Sequence, residues 1–101
     1  MKCKYTKVLI KDSTKKEKKL MAVFHDKNGK AVKTIHFGAK GYSDYTIHKD
    51  PKRKERYISR HRSREDWERC DTAGSLSRFV LWGYPSLSKS IKDYKRRFRL
   101  I

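Results

Sequence analysis

Apolar residues come in short bursts along the first third of the chain and at helical spacing along the last third. "KYTKVLIK" gathers Tyr5, Val8, Leu9 and Ile10 around the β-favouring Thr6. After the charged connector "DSTKKEKK", the segments "LMAVFHD" and "KAVKTIHF" flank "KNGK". Asn28-Gly29 is a hairpin signal, because a type I′ turn needs positive φ at both central residues. With those two residues as the loop, Lys27 faces Lys30 and Ala22 faces Ile35. One hairpin face then carries Leu20, Ala22, Phe24, Ile35 and Phe37. The other carries Met21, Val23, His25, Val32, Thr34 and His36. The first is the core face, and a slip of one residue would exchange the two. The pattern predicts a three-stranded antiparallel sheet within about residues 3–37, with the first strand beside the hairpin.

Beyond the sheet, Gly38 and Gly41 bracket a turn, and "YSDYTIH" reads as irregular chain or a short helical turn. Asp50-Pro51 marks a helix start, with Asp as N-cap and Pro at the first helical position. This helix is expected over residues 51–63. Its apolar face is thin, limited to Tyr57, Ile58 and His61, so it cannot be buried all round. "REDWERCDTAG" is a polar break. Thr72 caps a second helix over 73–82, with Leu76, Phe79, Val80 and Trp82 apolar and Gly83 at its end. Ser86 caps a third over 87–99, in which Leu87, Ile91, Tyr94 and Phe98 form an amphipathic stripe. The expected architecture is α+β: a three-stranded antiparallel sheet followed by three short helices packed on one face. The last helix should meet the sheet through its stripe. Residues 1–101 form one small domain in this reading, with neither a repeat nor a linker long enough to divide it.

Charge changes the picture most. The chain has 28 Lys and Arg against 11 Asp and Glu, a formal net charge of +17. The excess is spread along the chain, about equally over residues 1–40 and 41–101, which excludes a basic tail on a neutral body. A body this basic repels itself unless an acidic partner neutralises it. Nucleic acid is the leading partner, since each bound phosphate releases counterions. An anionic membrane surface or an acidic protein follows. The apolar run Val8–Ile10 is too short for a signal core or a membrane span. Cys3 and Cys70 stand alone and make no disulfide framework, so a soluble protein of a reducing compartment, not secreted, is expected.

Three blocks, "HFGAKGYSDYTIHKDPKRKERYISRHRSREDW", "TAGSLSRFVLW" and "PSLSKSIKDYKRRF", stand with the strand "LMAVFHDKNGK". Together they resemble a family of small basic proteins of unknown function from large double-stranded DNA viruses of algae and amoebae. The resemblance covers nearly the whole chain. It implies a viral origin and a setting in the virion or in the host cytoplasm or nucleus. It carries no activity, cofactor or catalytic residue, so function must be read from the residues.

Among metal-ligating types, Cys3, Cys70, His25, His36, His48 and His61 form neither a CxxC nor an HxxxH pair, although His25 and His36 share a hairpin face. Asp44, His48 and His61 supply acid/base chemistry at spacings that match no catalytic motif. "GAKGYSD" has two glycines around a lysine but lacks the full phosphate-loop pattern, leaving at most a local backbone contact to one phosphate. Cations interleave with Tyr42, Tyr45, Tyr57 and Trp67, as in proteins that neutralise phosphates and stack on bases, though most of these rings are needed for a lean core. No metal, cofactor or small-molecule substrate is expected, and no enzymatic activity. The expected function is nucleic-acid binding through phosphate contacts with little sequence specificity, DNA ahead of RNA. The expected contacts are Lys52, Arg53, Arg56, Arg60, Arg62 and Arg64, with Lys92, Lys95, Arg96 and Arg99 in a second group. The competing expectation is a minor capsid or other virion-structural protein that meets acidic protein or membrane surfaces.

Overall fold

A computed structural model describes residues 3–101. Strands β1 (Lys7–Asp12), β2 (Lys18–His25) and β3 (Ala31–Ala39) form an antiparallel sheet in the order β1-β2-β3. Four helical elements follow: α1 (Tyr45–His48), α2 (Pro51–His61), α3 (Ala73–Leu76), which runs on into a π-helical turn over Ser77–Leu81, and α4 (Leu87–Phe98). The α+β class inferred from the pattern is the observed one.

The central hairpin register is the one the pattern gives: Ala22 pairs with Ile35 and Leu20 with Phe37. Leu20, Ala22, Phe24 and Phe37 are buried, while Val32 and Thr34 on the opposite face are exposed. The loop differs from the expected two-residue turn. A bulge between Phe24 and His25 brings His25 opposite Ala31, and the loop widens to residues 26–30. The Asp26 side chain is the reason. Its Oδ1 accepts from the backbone N–H of Asn28 (2.9 Å) and of Lys30 (3.0 Å), organising a longer turn in place of the tight one.

Each of the three capping residues inferred from the chain does its work. Asp50 accepts from Lys52 N–H, Thr72 from Ser75 N–H and Ser86 from Lys89 N–H, satisfying donors that a helix leaves unpaired. The helices end at residues 61, 81 and 98, slightly short of their expected limits. The π-helical turn was not legible. It buries Phe79, Val80 and Leu81 in succession, together with Leu76, where an α-helix would turn one of three consecutive residues outward.

This segment makes the closest approach of any helix to the sheet: α3 and its π-helical continuation contact β3, and α4 packs against the π-helical turn. The expectation that α4 meets the sheet through its whole stripe is corrected at its first turn. Tyr94 and Phe98 are buried and Ile91 is half-buried at the core, but Leu87, on the first turn, is exposed. The core joins Val8, Phe24 and Phe37 of the sheet to Leu76, Val80, Tyr94, Phe98 and Leu100. Ile101 completes the edge beside β1, donating its N–H to Thr6 O (3.0 Å) and accepting from Val8 N–H (3.2 Å).

Cys3 and Cys70 are joined by a disulfide, which corrects the expectation of two separate thiols. A separation of 67 residues carries no pairing signal in the sequence, but the fold brings the two Cα atoms to 5.3 Å. The argument for a reducing compartment loses its footing with it. Nearby, Asp71 accepts from Tyr5 Oη (3.1 Å) and from Lys33 Nζ (3.0 Å), so the start of the chain, β3 and the loop before α3 meet at one carboxylate.

Closing a loop of this length removes about 4 kcal/mol of entropy from the unfolded chain. The double substitution Cys3→Ser, Cys70→Ser should lower unfolding free energy by roughly that amount in a denaturant titration. Gly83→Ala should also destabilise, by about 1–3 kcal/mol. An added Cβ at this buried glycine would stand 2.2 Å from the Phe79 carbonyl oxygen, which is backbone and cannot swing aside.

Candidate functional site

The α2 helix is held along one narrow side. The buried Tyr57 ring lies between Trp82 (centroids 4.4 Å apart, planes at 3°) and His61 (4.3 Å, 28°). Lys54 Nζ donates to the Gly83 carbonyl at 2.6 Å and lies over the Tyr45 ring. Burial, reinforced by the charges of Arg78 and Arg97, lowers the Lys54 pKa from its ordinary value. Ile58 and His61 are half-buried on the same side, and the other positions of the helix are exposed.

A cleft of about 680 Å³ runs between α2, the chain from Gly38 to Asp44, and α3. Arg53, Arg56 and Arg60, at spacings of three and four, stand along its α2 wall. Lys18 and Lys19 enter from the start of β2, Tyr42 and the half-buried Trp82 line it with aromatic rings, and the buried Phe37, Tyr57 and Leu81 lie beneath. Gly38 closes the strand side. Its φ is +79°, and a Cβ there would lie 2.7 Å from Leu81 Cδ1. The site's two carboxylates are already engaged. Asp44 caps α1 and pairs with Lys19 at 2.6 Å, while Glu65 accepts from Trp67 Nε1 at 2.9 Å and faces His61. Among the described residues no carboxylate lies within 4.0 Å of the charged nitrogens of Lys18, Arg53, Arg56 or Arg60.

The ten cations singled out in the sequence fall into separate places. Arg53, Arg56 and Arg60 share the cleft, and Lys52 joins Arg56 and Arg60 on the outward side of α2. Arg62 follows the last turn of that helix, and Arg64 donates to the Arg60 carbonyl oxygen. On α4, Lys92 and Arg96 flank a smaller depression beside Tyr84 and Lys89, where Arg96 is tied to Asp93 at 2.5 Å. Lys95 lies in the last turn of α4 and Arg99 caps its end. Lys18 and Lys19 were missed, and Tyr42, one of four candidate stacking rings in the sequence, proves to line this cleft. The hairpin register would have found the first, since extending it by two further rungs sets Lys18 opposite Ala39, beside the Gly38–Tyr42 turn.

The acid/base and metal candidates are dispersed among structural roles. Asp44 serves as a cap and His61 stacks on Tyr57. His36 Nδ1 lies 2.7 Å from Ser13 Oγ, and His25 pairs with Ala31 at the far end of the hairpin. His48 Nδ1 accepts from Asp50 N–H at 2.9 Å, which leaves the proton of the neutral ring on Nε2, buried without a hydrogen-bond partner near Trp82.

Residues 8–61, from β1 to the end of α2, match a family of unknown function, DUF5754. The chain belongs to DUF5754. No curated protein and no solved structure matches it. The DUF5754 segment contributes Lys18, Lys19, the Gly38–Asp44 chain and the arginine wall of α2, while α3 and Trp82 complete the cleft from outside it.

Burial lowers the His48 pKa, with the charge of Arg53 adding to the effect. A histidine whose folded pKa lies below its unfolded value weakens the fold on acidification, because the unfolded chain takes up the proton first. Stability should therefore fall as pH drops below about 6.5. A second loss should follow below the ordinary carboxylate range. Burial favours the protonated form of Asp71 and Asp93. It is outweighed by the hydrogen bonds to Lys33 and Tyr5, and to Arg97 and Arg96, so both carboxyls end below their usual pKa. Denaturant midpoints at stepped pH check both, and His48→Phe should remove much of the first loss.

Proposed function

We propose that this protein binds nucleic acid through its phosphates, with little sequence specificity, and that the cleft beside α2 is the primary contact. The observation that carries the reading is the convergence of Lys18, Arg53, Arg56 and Arg60 on one recess with no carboxylate partner among the described residues. Unneutralised cations at this density attract a polyanion, and each phosphate bound releases condensed counterions. Arginine suits the role, because its planar fork can donate two parallel hydrogen bonds to one phosphate.

Lys52 extends the contact around α2, and the α4 cations offer a second, weaker region because Asp93 already neutralises part of it. A virion-structural role against acidic protein is the competing reading. The exposed Tyr42 ring and the half-buried Trp82 in the cleft favour nucleic acid, since a carboxylate cluster would leave those rings unmatched.

Log affinity for a DNA fragment should fall linearly with log salt. The double substitution Arg56→Glu, Arg60→Glu should reduce the steepness by about 0.7–0.9 for each phosphate that is no longer neutralised. Lys95→Glu should change it less. Absence of binding at low salt would refute the proposal, and protein-dependent cleavage of the bound strand would replace binding with catalysis.

A further inference from the structure

We infer that the cleft accepts an unpaired nucleic-acid strand, with a base stacked on Tyr42, an inference that rests on the phosphate-binding reading above. Tyr42 is the ring that the fold leaves unused. Tyr57 has Trp82 on one side and His61 on the other. Tyr45 is met by His48 and Lys54, Tyr84 by Lys89, and Trp67 by Arg78. Tyr5 packs on Phe24, and Tyr94 on Phe98. Of the tyrosines and tryptophans, Tyr42 alone has neither an aromatic nor a cationic neighbour among the described residues, and it is 75% exposed.

Its position gives that exposure a use. Tyr42 lines the same cleft as Arg53, Arg56 and Arg60. Arg53 and Arg60 lie seven helical steps apart, about 10 Å at 1.5 Å per residue. A ligand along this wall meets cations on one side and a bare ring beside them. A duplex offers phosphates outside and keeps its base faces stacked within, so it can use the cations but not the ring. An unpaired strand offers phosphates and flat apolar faces together. The lone tyrosine therefore distinguishes between the two forms in a way that the cations do not.

Fluorescence anisotropy at low salt, with a labelled oligothymidylate of about twelve nucleotides and a duplex of equal length, tests this. Wild-type protein should bind the single strand more tightly. Tyr42→Ala should weaken single-strand binding by about ten-fold and leave duplex binding nearly unchanged, because stacking on one ring is worth roughly that factor. Tyr42→Phe, which keeps the ring, should behave as wild type. Arg56→Glu with Arg60→Glu should weaken both. Equal affinity for the two forms, or a Tyr42→Ala protein that binds the single strand normally, would overturn the inference while leaving phosphate binding in place. Failure of the wild-type protein to bind either form would overturn phosphate binding itself.

Discussion

Everything in this fold leans on the burial of the segment from Leu76 to Leu81. A three-stranded sheet with one apolar face needs a second layer to exclude water from it. Leu76 and Val80 are fully buried in the core that includes Phe24 and Phe37, and α4 packs on the segment, with Phe98 against Phe79. Contacted by both β3 and α4, the segment benefits from a π-helical turn that hides Phe79, Val80 and Leu81 in succession. Its end also fixes the cleft. Trp82 stacks on Tyr57, the Gly83 carbonyl holds Lys54, and Leu81 lies under Gly38. One buried stretch thus supports the sheet, seats α4 and positions α2.

Electrostatics then decides where the excess charge is left bare. With 11 carboxylates against 28 Lys and Arg, most cations cannot be paired. The fold keeps its three buried aspartates for joints. Asp44 meets Lys19, Asp71 meets Lys33 and Tyr5, and Asp93 meets Arg96 and Arg97. Each draws charge away from its own neighbourhood. Asp44 lines the cleft but is taken up by Lys19, and among the described residues no carboxylate pairs with Arg53, Arg56 or Arg60, so the α2 wall is where positive charge remains concentrated beside a recess.

Local rules were readable in the sequence and distant partnerships were not. Asp50-Pro51, Thr72 and Ser86 mark helix starts because capping is settled within three or four residues. Alternation across the hairpin placed Ala22 against Ile35, because a slip would have turned Phe24 and Phe37 to water. The Asp26 turn escaped notice, since Asn-Gly announces a tight loop more loudly than an Asp side chain announces a wide one. The disulfide and the order of layers depend on residues far apart in sequence. Nothing local to Cys3 points to Cys70, and nothing within the α4 stripe tells whether a sheet or another helix will meet it. The cationic wall of the candidate site was legible as a stripe on α2. Its opposite side was not, because the β2–β3 register sets Lys18 beside the Gly38–Tyr42 turn, but only the placement of that turn across from α2 brings Lys18 and Tyr42 to the cleft.

The thin apolar face of α2 acquires a physical meaning from this arrangement. A helix held along its whole length must give at least a third of its surface to the core. Here one sandwiched ring and one desolvated ammonium hold it instead, and both point toward the Trp82–Gly83 corner. Few aliphatic contacts are needed, so arginines can stand at positions 53, 56 and 60 without disturbing the packing. Anchoring by Tyr57 and Lys54 is therefore what permits a helix of mean composition this polar to stay docked. The anchoring also sets which side of the helix faces the recess. Loss of the ring stack would undock the helix and disperse the cations together, so the site's electrostatics and the fold's stability meet at the same residue.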